Sequence, residues 1–398
     1  MKLTDGFALQ NIDNIPYLLP YGQRIAEQRR GMRLNESGVL LWNSLPGAAN
    51  RDELLTVFAN HYEASPEELP ELKQDMDAFL DELCAWGMLE EEKAPSGVCH
   101  TLYMGGISVH LFAPPQLELP QFAPFAADTQ PHPDMTIEII PETGPGSSSV
   151  GGTLLVCTNE LCVIELKTEY IIRLPLASQI TECRILKDGT IAKLYVTPPY
   201  REPFLSDLFH AIRFAFLFRA QQLGRIAIHS ASVSYRGQAW LFAGSSGTGK
   251  STHADLWKQH FHTPVINGDL NLISFSEGVP MVYGIPWCGT SGICHTGAIP
   301  LGGVIHLAQS SSNICRTLSK EEQIRRLLYR IISPSWTRRQ MERNLKIAET
   351  VAGRIMNVQL LCTKTPEAAQ CMKRNIDTFL CTARAAGKPN TAQTEEGL

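Results

Sequence analysis

The run Gly244-Ser245-Ser246-Gly247-Thr248-Gly249-Lys250-Ser251-Thr252 constrains this chain more than any other feature. Its spacing is G-x-x-x-x-G-K-[ST], in which glycines let the backbone curl until several N–H groups face one anion. The flanks set the local architecture: residues 239–243 (AWLFA) read as a buried strand entering the loop, and residues 251–259 as the helix leaving it. The positive end of that helix adds to the field on an anion. In a loop of this kind Lys250 reaches the outer phosphates of a nucleotide, and the Ser251 hydroxyl ligates Mg²⁺. ATP and Mg²⁺ are therefore the expected cofactors, because the guanine-specificity pattern N-K-x-D and the switch pattern D-x-x-G are both absent.

Two further residues belong to the same expectation. The loop follows a hairpin, with strands over 225–229, 232–235 and 238–243 around an Arg236-Gly237 turn, and His229 lies just before it. After the helix, residues 264–269 (PVINGD) read as a short apolar strand delivering Asp269 at its end, where a buried acid needs a partner such as Mg²⁺. Asp269 and His229 are then site residues beside Lys250, which binds the phosphates. Trp287 and Cys288 sit in a Gly-Ile-Pro-Trp-Cys-Gly loop, where Trp287 either anchors packing or borders the acceptor. In the basic stretch 316–346, Arg325, Arg326 and Arg330 supply a transition-state cation, hold an acidic peptide or form merely a solvated helix face.

The bulk numbers exclude other classes. With 398 residues the chain has room for two or three domains. A net charge of −5 argues against nucleic acid as a partner. No apolar run reaches the ~18 residues needed to span a bilayer, and the N-terminus lacks the plan of a signal peptide. A cytoplasmic protein is the expectation. The eleven cysteines include no C-x-x-C pair, so free thiols are expected rather than a zinc or iron–sulfur site.

Along the chain the fold class reads as multidomain α/β. Residues 1–92 show strands over 7–12, 15–19 and 32–34, then three helices, capped by Asn35, by Asn50 and by Ser65 with Pro66 and Glu68. Gly87 marks the last stop. A linker is expected over 93–102. Residues 103–222 are β-rich, with strands over 106–112, 135–140, 153–157, 162–166, 170–174 and 191–196, a loop over 141–152 and an apolar helix over 205–222. The loop-bearing domain spans 223–383, and residues 384–398 read as a disordered tail.

Two resemblances follow from these residues. Ile228-His229-Ser-Ala-Ser-Val233, residues 244–252, Gly268-Asp269, Gly284-Ile-Pro-Trp-Cys-Gly289 and residues 299–307 (IPLGGVIHL) together resemble the HPr kinase and PEP-carboxykinase group of P-loop proteins over about residues 100 to 380. That resemblance implies γ-phosphoryl transfer from ATP to a serine hydroxyl, with a histidine at the place of His229 near the catalytic acid. The chain departs from that group in carrying Asp269 alone, where two adjacent acids are usual, so that either Asp269 shares base and metal duties or His229 takes up part of the proton transfer.

Residues 7–89, through Phe7-Ala-Leu, Leu34-Asn-Glu-Ser-Gly-Val39 with Trp42, and Gly87-Met-Leu89, resemble the winged-helix-like PqqD family. This implies capture of the leader of a ribosomally made precursor peptide, and a partner maturation enzyme. A purely structural or dimer-forming unit, and so a homo-oligomer, is the alternative. Joined, the halves imply a serine kinase of a captured peptide. A kinase of a small metabolite, a carboxykinase-like enzyme and a non-transferring ATP-gated peptide chaperone are the rivals.

Overall fold

The computed structural model describes residues 1–48, 50–90, 95–128, 132–142 and 151–385. Most of the loop expected over 141–152, the start of the linker and all but the first residues of the expected tail lie outside these. The chain divides into two compact units, Met1–Ala94 and Pro95–Leu398.

In the first unit Phe7–Ile12, Ile15–Pro20 and Met32–Arg33 form a three-stranded antiparallel sheet. The hairpin closes through Asp13 and Asn14, both left-handed with φ of 49° and 61°, as a tight two-residue turn demands. Helices Glu36–Ser44 and Arg51–His61 begin at caps: Asn35 accepts from the Gly38 amide at 2.8 Å and Asn50 from the Glu53 amide at 2.9 Å. The third helix is Leu69–Ala85, starting four residues later than its apparent cap. Ser65 and Glu68 do pair, but the Ser65 amide and hydroxyl both donate to Glu68 Oε2 at 2.8 Å. Pro70 has no N–H to close a helical turn onto residue 66, so residues 66–68 stay a turn. Leu18, Leu54, Met76, Leu80 and Leu83 make the solvent-free centre of this unit. The sequence pattern gave no hint that Lys2–Leu3 pairs with Leu89–Glu90, since two-residue strands carry no periodicity.

The second unit holds two eight-stranded sheets. The first runs Val98–Met104, Ile107–Ala113, Met135–Pro141, Ile191–Val196, Ile180–Leu186, Glu169–Arg173, Cys162–Glu165, Thr153–Cys157. Two of these depart from expectation. Val98–Met104 occupies what was expected to be linker, because its pairing with Ile107–Ala113 rather than its own composition makes it a strand. Ile180–Leu186 is hidden in sequence by Glu182 and Arg184, which share a face and bind each other at 2.7 Å.

The second sheet runs Gln238–Ala243, Ile226–Tyr235, Leu270–Ser276, Val279–Gly284, Ala298–Gln309, Met356–Cys362, Ile314–Thr317, with Val265–Asn267 also on Ile226–Tyr235. Ala298–Gln309 pairs with Val279–Gly284 through its first residues and, in parallel, with Gln238–Ala243 beyond them. Helix Phe204–Gln222 joins the sheets: Leu208, Ile212 and Phe216 share one core with Val109 and Leu194 of the first and with Leu270 and Leu272 of the second. The β-rich part and the loop-bearing part thus form one body. Among the described residues, no helix is long and apolar enough to cross a membrane.

Candidate functional site

The site is built on the hairpin of Ile226–Tyr235 and Gln238–Ala243. Arg236 and Gly237, at φ of 56° and 73°, make its turn, and all six residues of the second strand are buried. That strand ends at Gly244, where an added Cβ would lie 2.4 Å from Thr248 Oγ1, so the loop closes on itself only over a glycine. Gly247 and Gly249 take left-handed φ of 76° and 102° and return the chain into helix Lys250–Phe261. No side chain caps this helix, and the first amides of any helix have no partner within it. Residues 249–252 line a cleft of about 640 Å³ together with Ser246 and Gly247.

Lys250 enters this cleft with its ammonium turned back onto the carbonyls of Gly244 and Ser245, 3.3 Å from each. Burial lowers its pKa, opposed by the charge of Asp269 and reinforced by that of Arg330.

His229 and Asp269 line the same cleft, with His229 Nε2 3.0 Å from Asp269 Oδ1. Strand pairing brings them there. Val265–Asn267 and Leu270–Ser276 both run antiparallel to Ile226–Tyr235, with Leu270 opposite His229, and Gly268-Asp269 form the break between them. Asp269 therefore sits in this two-residue break rather than at the end of a strand, since Asn267, opposite Ser232, is the last residue of its strand to pair. The buried Asn267 amide holds the break: its Oδ1 accepts from the Asp269 and Leu270 amides at 2.9 Å, and its Nδ2 donates to the Ile285 carbonyl at 2.8 Å. The hydrogen bond from His229 holds the Asp269 carboxyl below its ordinary pKa; burial opposes this, while the charges of His229, Lys250 and Arg213 assist.

The 285–295 loop closes over the acid. A Cβ on Gly268 would lie 2.2 Å from Ser291 Oγ, and one on Gly289 would lie 2.9 Å from Asp269 Cβ. Trp287 is the packing anchor of this loop. It is 2% exposed, donates to the Phe209 carbonyl at 2.9 Å and packs against Phe122, Phe209 and Phe216. Cys288 is buried, and burial pushes its thiol pKa up.

The structure gathers Ser246, Gly247, Gly249, Lys250, Ser251, Thr252, His229 and Asp269 around one cleft. Gly244, Ser245 and Thr248 line a separate one, in company with Arg325, Arg326 and Arg330. Three cations lie near the loop, of which sequence reasoning missed Lys364 and Arg213 and offered Arg330 as one of three candidates. Lys364 lines the main cleft, with its Cε 3.4 Å from where a Gly249 Cβ would be. Arg213, on the joining helix, is close enough to Asp269 to affect its titration. Arg330 Nη1 donates to the Gly244 carbonyl at 2.9 Å, and its own carbonyl accepts from the His229 amide at 2.9 Å. None of these lies near the loop in sequence. Only the basic character of residues 316–346 signalled one of them.

Among the described residues no three His, Cys, Asp or Glu side chains gather to hold a metal. This donor set fits Mg²⁺ only in the form common at nucleotide sites, with one hydroxyl, one carboxylate and the remaining positions filled by phosphate and water oxygens. Ser251 and Asp269 on one cleft supply that pair.

In the first unit, Met32, Arg33, Leu34, Asn35, Phe79 and Glu82 line a cleft of about 380 Å³ beside the short edge strand. Residues 25–89 match the sequence family described as coenzyme PQQ synthesis protein D (PqqD). They form a PqqD-like domain. The chain is thus a multidomain α/β protein in which a PqqD-like domain precedes two large β-sheets. The match ends within the first unit and does not reach the loop-bearing one. Comparison of the whole chain with curated proteins gives no match.

Proposed function

We propose that the protein is an ATP-dependent kinase that phosphorylates a hydroxyl, most simply a serine, of a precursor peptide captured by its PqqD-like domain. The observation that carries this reading is the common cleft of Lys250, Ser251 and the His229–Asp269 pair. A phosphate-cradling loop alone suits any nucleotide-binding protein, whereas a hydrogen-bonded acid and imidazole facing it suit transfer to a hydroxyl.

In this reading the amides of residues 246–252 and the Lys250 ammonium bind the phosphates. Lys250 exchanges its two carbonyl contacts for phosphate oxygens. Ser251 and Asp269 would hold Mg²⁺, which supplies charge neutralisation on the β- and γ-oxygens. The acceptor hydroxyl oxygen forms a bond to the γ-phosphorus as the bond to the β–γ bridging oxygen breaks, and its proton passes to the Asp269–His229 pair. Catalysis is mainly positioning and charge stabilisation. The PqqD-like domain offers the free edge at Met32–Arg33 and the cleft beside it to an added peptide strand. Tethering the leader raises the local concentration of an otherwise weak acceptor, to the order of millimolar.

The test is incubation of the purified chain with Mg²⁺–ATP and each short serine-containing peptide that the reading frames beside its gene encode. Mass spectrometry should show one added phosphoryl group, lost with Lys250→Ala and, at low peptide concentration, on deleting residues 1–94. Nucleotide binding without any phosphopeptide sinks the reading.

A further inference from the structure

The glycine-rich loop borders two clefts that share no lining residue. The second, of about 380 Å³, is lined by Arg325, Arg326 and Arg330 with Ser245, Thr248 and Tyr329. No carboxylate lines it. Among the described residues none of the three guanidiniums is within ion-pairing distance of an acid. The nearest acid along the helix that carries Arg325 and Arg326, Glu322, is engaged at its N-terminus, accepting from the Ser319 amide at 3.2 Å. Arg326 is tied by Nη2 to Gln359 Oε1 at 3.3 Å, while its Nε is buried without a partner. Three cations gathered on one cleft, with Glu322 acting on Arg326 only from outside its lining, repel one another, and a tetrahedral anion relieves that repulsion while matching guanidinium donors.

We propose that this cleft binds a phosphate group, free or carried by a small ester, at a site distinct from the nucleotide cleft. Three arginines and no acid suit a dianion better than a single carboxylate. The volume leaves room for the body of a small ester beyond the phosphate itself. Arg330 links the site to the proposed chemistry: its side chain holds the Gly244 carbonyl at the root of the loop, and its backbone carbonyl holds the His229 amide. An anion drawing Arg330 Nη1 toward itself competes with Gly244, so occupancy alters nucleotide affinity.

The experiment is calorimetric titration of the full chain, saturated with Mg²⁺ and a non-hydrolysable ATP analogue, with inorganic phosphate in one arm and O-phosphoserine in the other. Saturable binding is expected in at least one arm, weakened tenfold or more by Arg325→Gln with Arg326→Gln. The stronger arm identifies the source of the phosphate. No saturable binding, or binding unchanged in the double variant, overturns the proposal. A cooperative melt serves as the folding control. Should the double variant fail it, the exposed Arg325→Gln alone is read, with threefold weakening expected and no change overturning. If the analogue does not bind, the titrations are repeated on Lys250→Ala, in which the loop's own lysine is removed. Failure of the nucleotide reading and failure of this one are thus distinguishable.

Discussion

His229 Nε2 lies 3.0 Å from Asp269 Oδ1, and the contact is a product of strand register. His229 pairs with Leu270, so the residue before Leu270 is placed beside the histidine; the Asp269 carbonyl still accepts from the Ser230 amide at 2.9 Å, while its carboxylate lines the cleft. The pair is held from both sides, by Asn267 under the Asp269 amide and by the Arg330 carbonyl on the His229 amide.

Removing either member should cost far more than one ordinary hydrogen bond. Asp269→Asn is expected to lower phosphoryl transfer about 10²–10⁴-fold, the range for loss of a positioned acid or base. His229→Gln should give a smaller loss. Because the two act as a unit, the double variant should be little worse than Asp269→Asn alone. Full additivity in single-turnover phosphopeptide formation would show that they act separately.

The same contact sets an expected pH dependence. The His229 hydrogen bond holds the Asp269 carboxyl below its ordinary value, so the carboxylate persists into acid and is lost only as pH falls through that depressed pKa. With His229→Gln the main lowering cause is gone while burial still raises it. The acid limb of the kcat/KM profile should therefore move to higher pH in the variant. A limb that stays put or moves down would mean that another group sets it.

How much of this was legible in the sequence depended on range. The glycine-rich loop, its flanking strand and helix, and the caps at Asn35 and Asn50 are local, and local chemistry suffices to place them. Asp269 was legible as a candidate acid, but neither its half-exposed place in the cleft nor the break that presents it was, because that break needs two segments pairing with one strand. Lys364, Arg213 and Arg330 come from elements distant in sequence; the basic stretch around Arg330 marks it only as one of several candidates, and nothing in the neighbourhoods of Lys364 and Arg213 marks them. Val98–Met104 illustrates the same limit: a partner strand, not a propensity, gives it its structure.

Gly289 offers a test of how tightly the acid is held. Its φ is 63° and an added Cβ would meet Asp269 Cβ at 2.9 Å. Gly289→Ala should cost about 1 kcal/mol in stability through the left-handed backbone and, by displacing the carboxylate, lower transfer more than nucleotide affinity. Comparing kcat with the affinity for an ATP analogue checks this. Equal losses in both would point to general disorder of the loop instead.

Two histidines outside the cleft tie stability to pH. His253 lies under the loop helix, 3.2 Å from Cys362 Sγ and tilted against Phe242, and His306 is 2.9 Å from Asn357 Oδ1. Burial pushes the pKa of each from 6.5 down to about 4. A group whose protonated form is disfavoured in the native state adds stability above its unfolded pKa, and that stability drains away as pH falls, because the unfolded chain takes up protons that the native chain refuses. The loss should begin near 6.5 and level off near 4. Between about pH 7 and about pH 5 it should reach about 2 kcal/mol per histidine as an upper figure. Urea unfolding across this range, followed by Trp240 and Trp257 fluorescence, reads it directly, since both indoles are buried in this unit. Replacing both histidines by glutamine should flatten the profile, and an unchanged slope would show that other groups carry it.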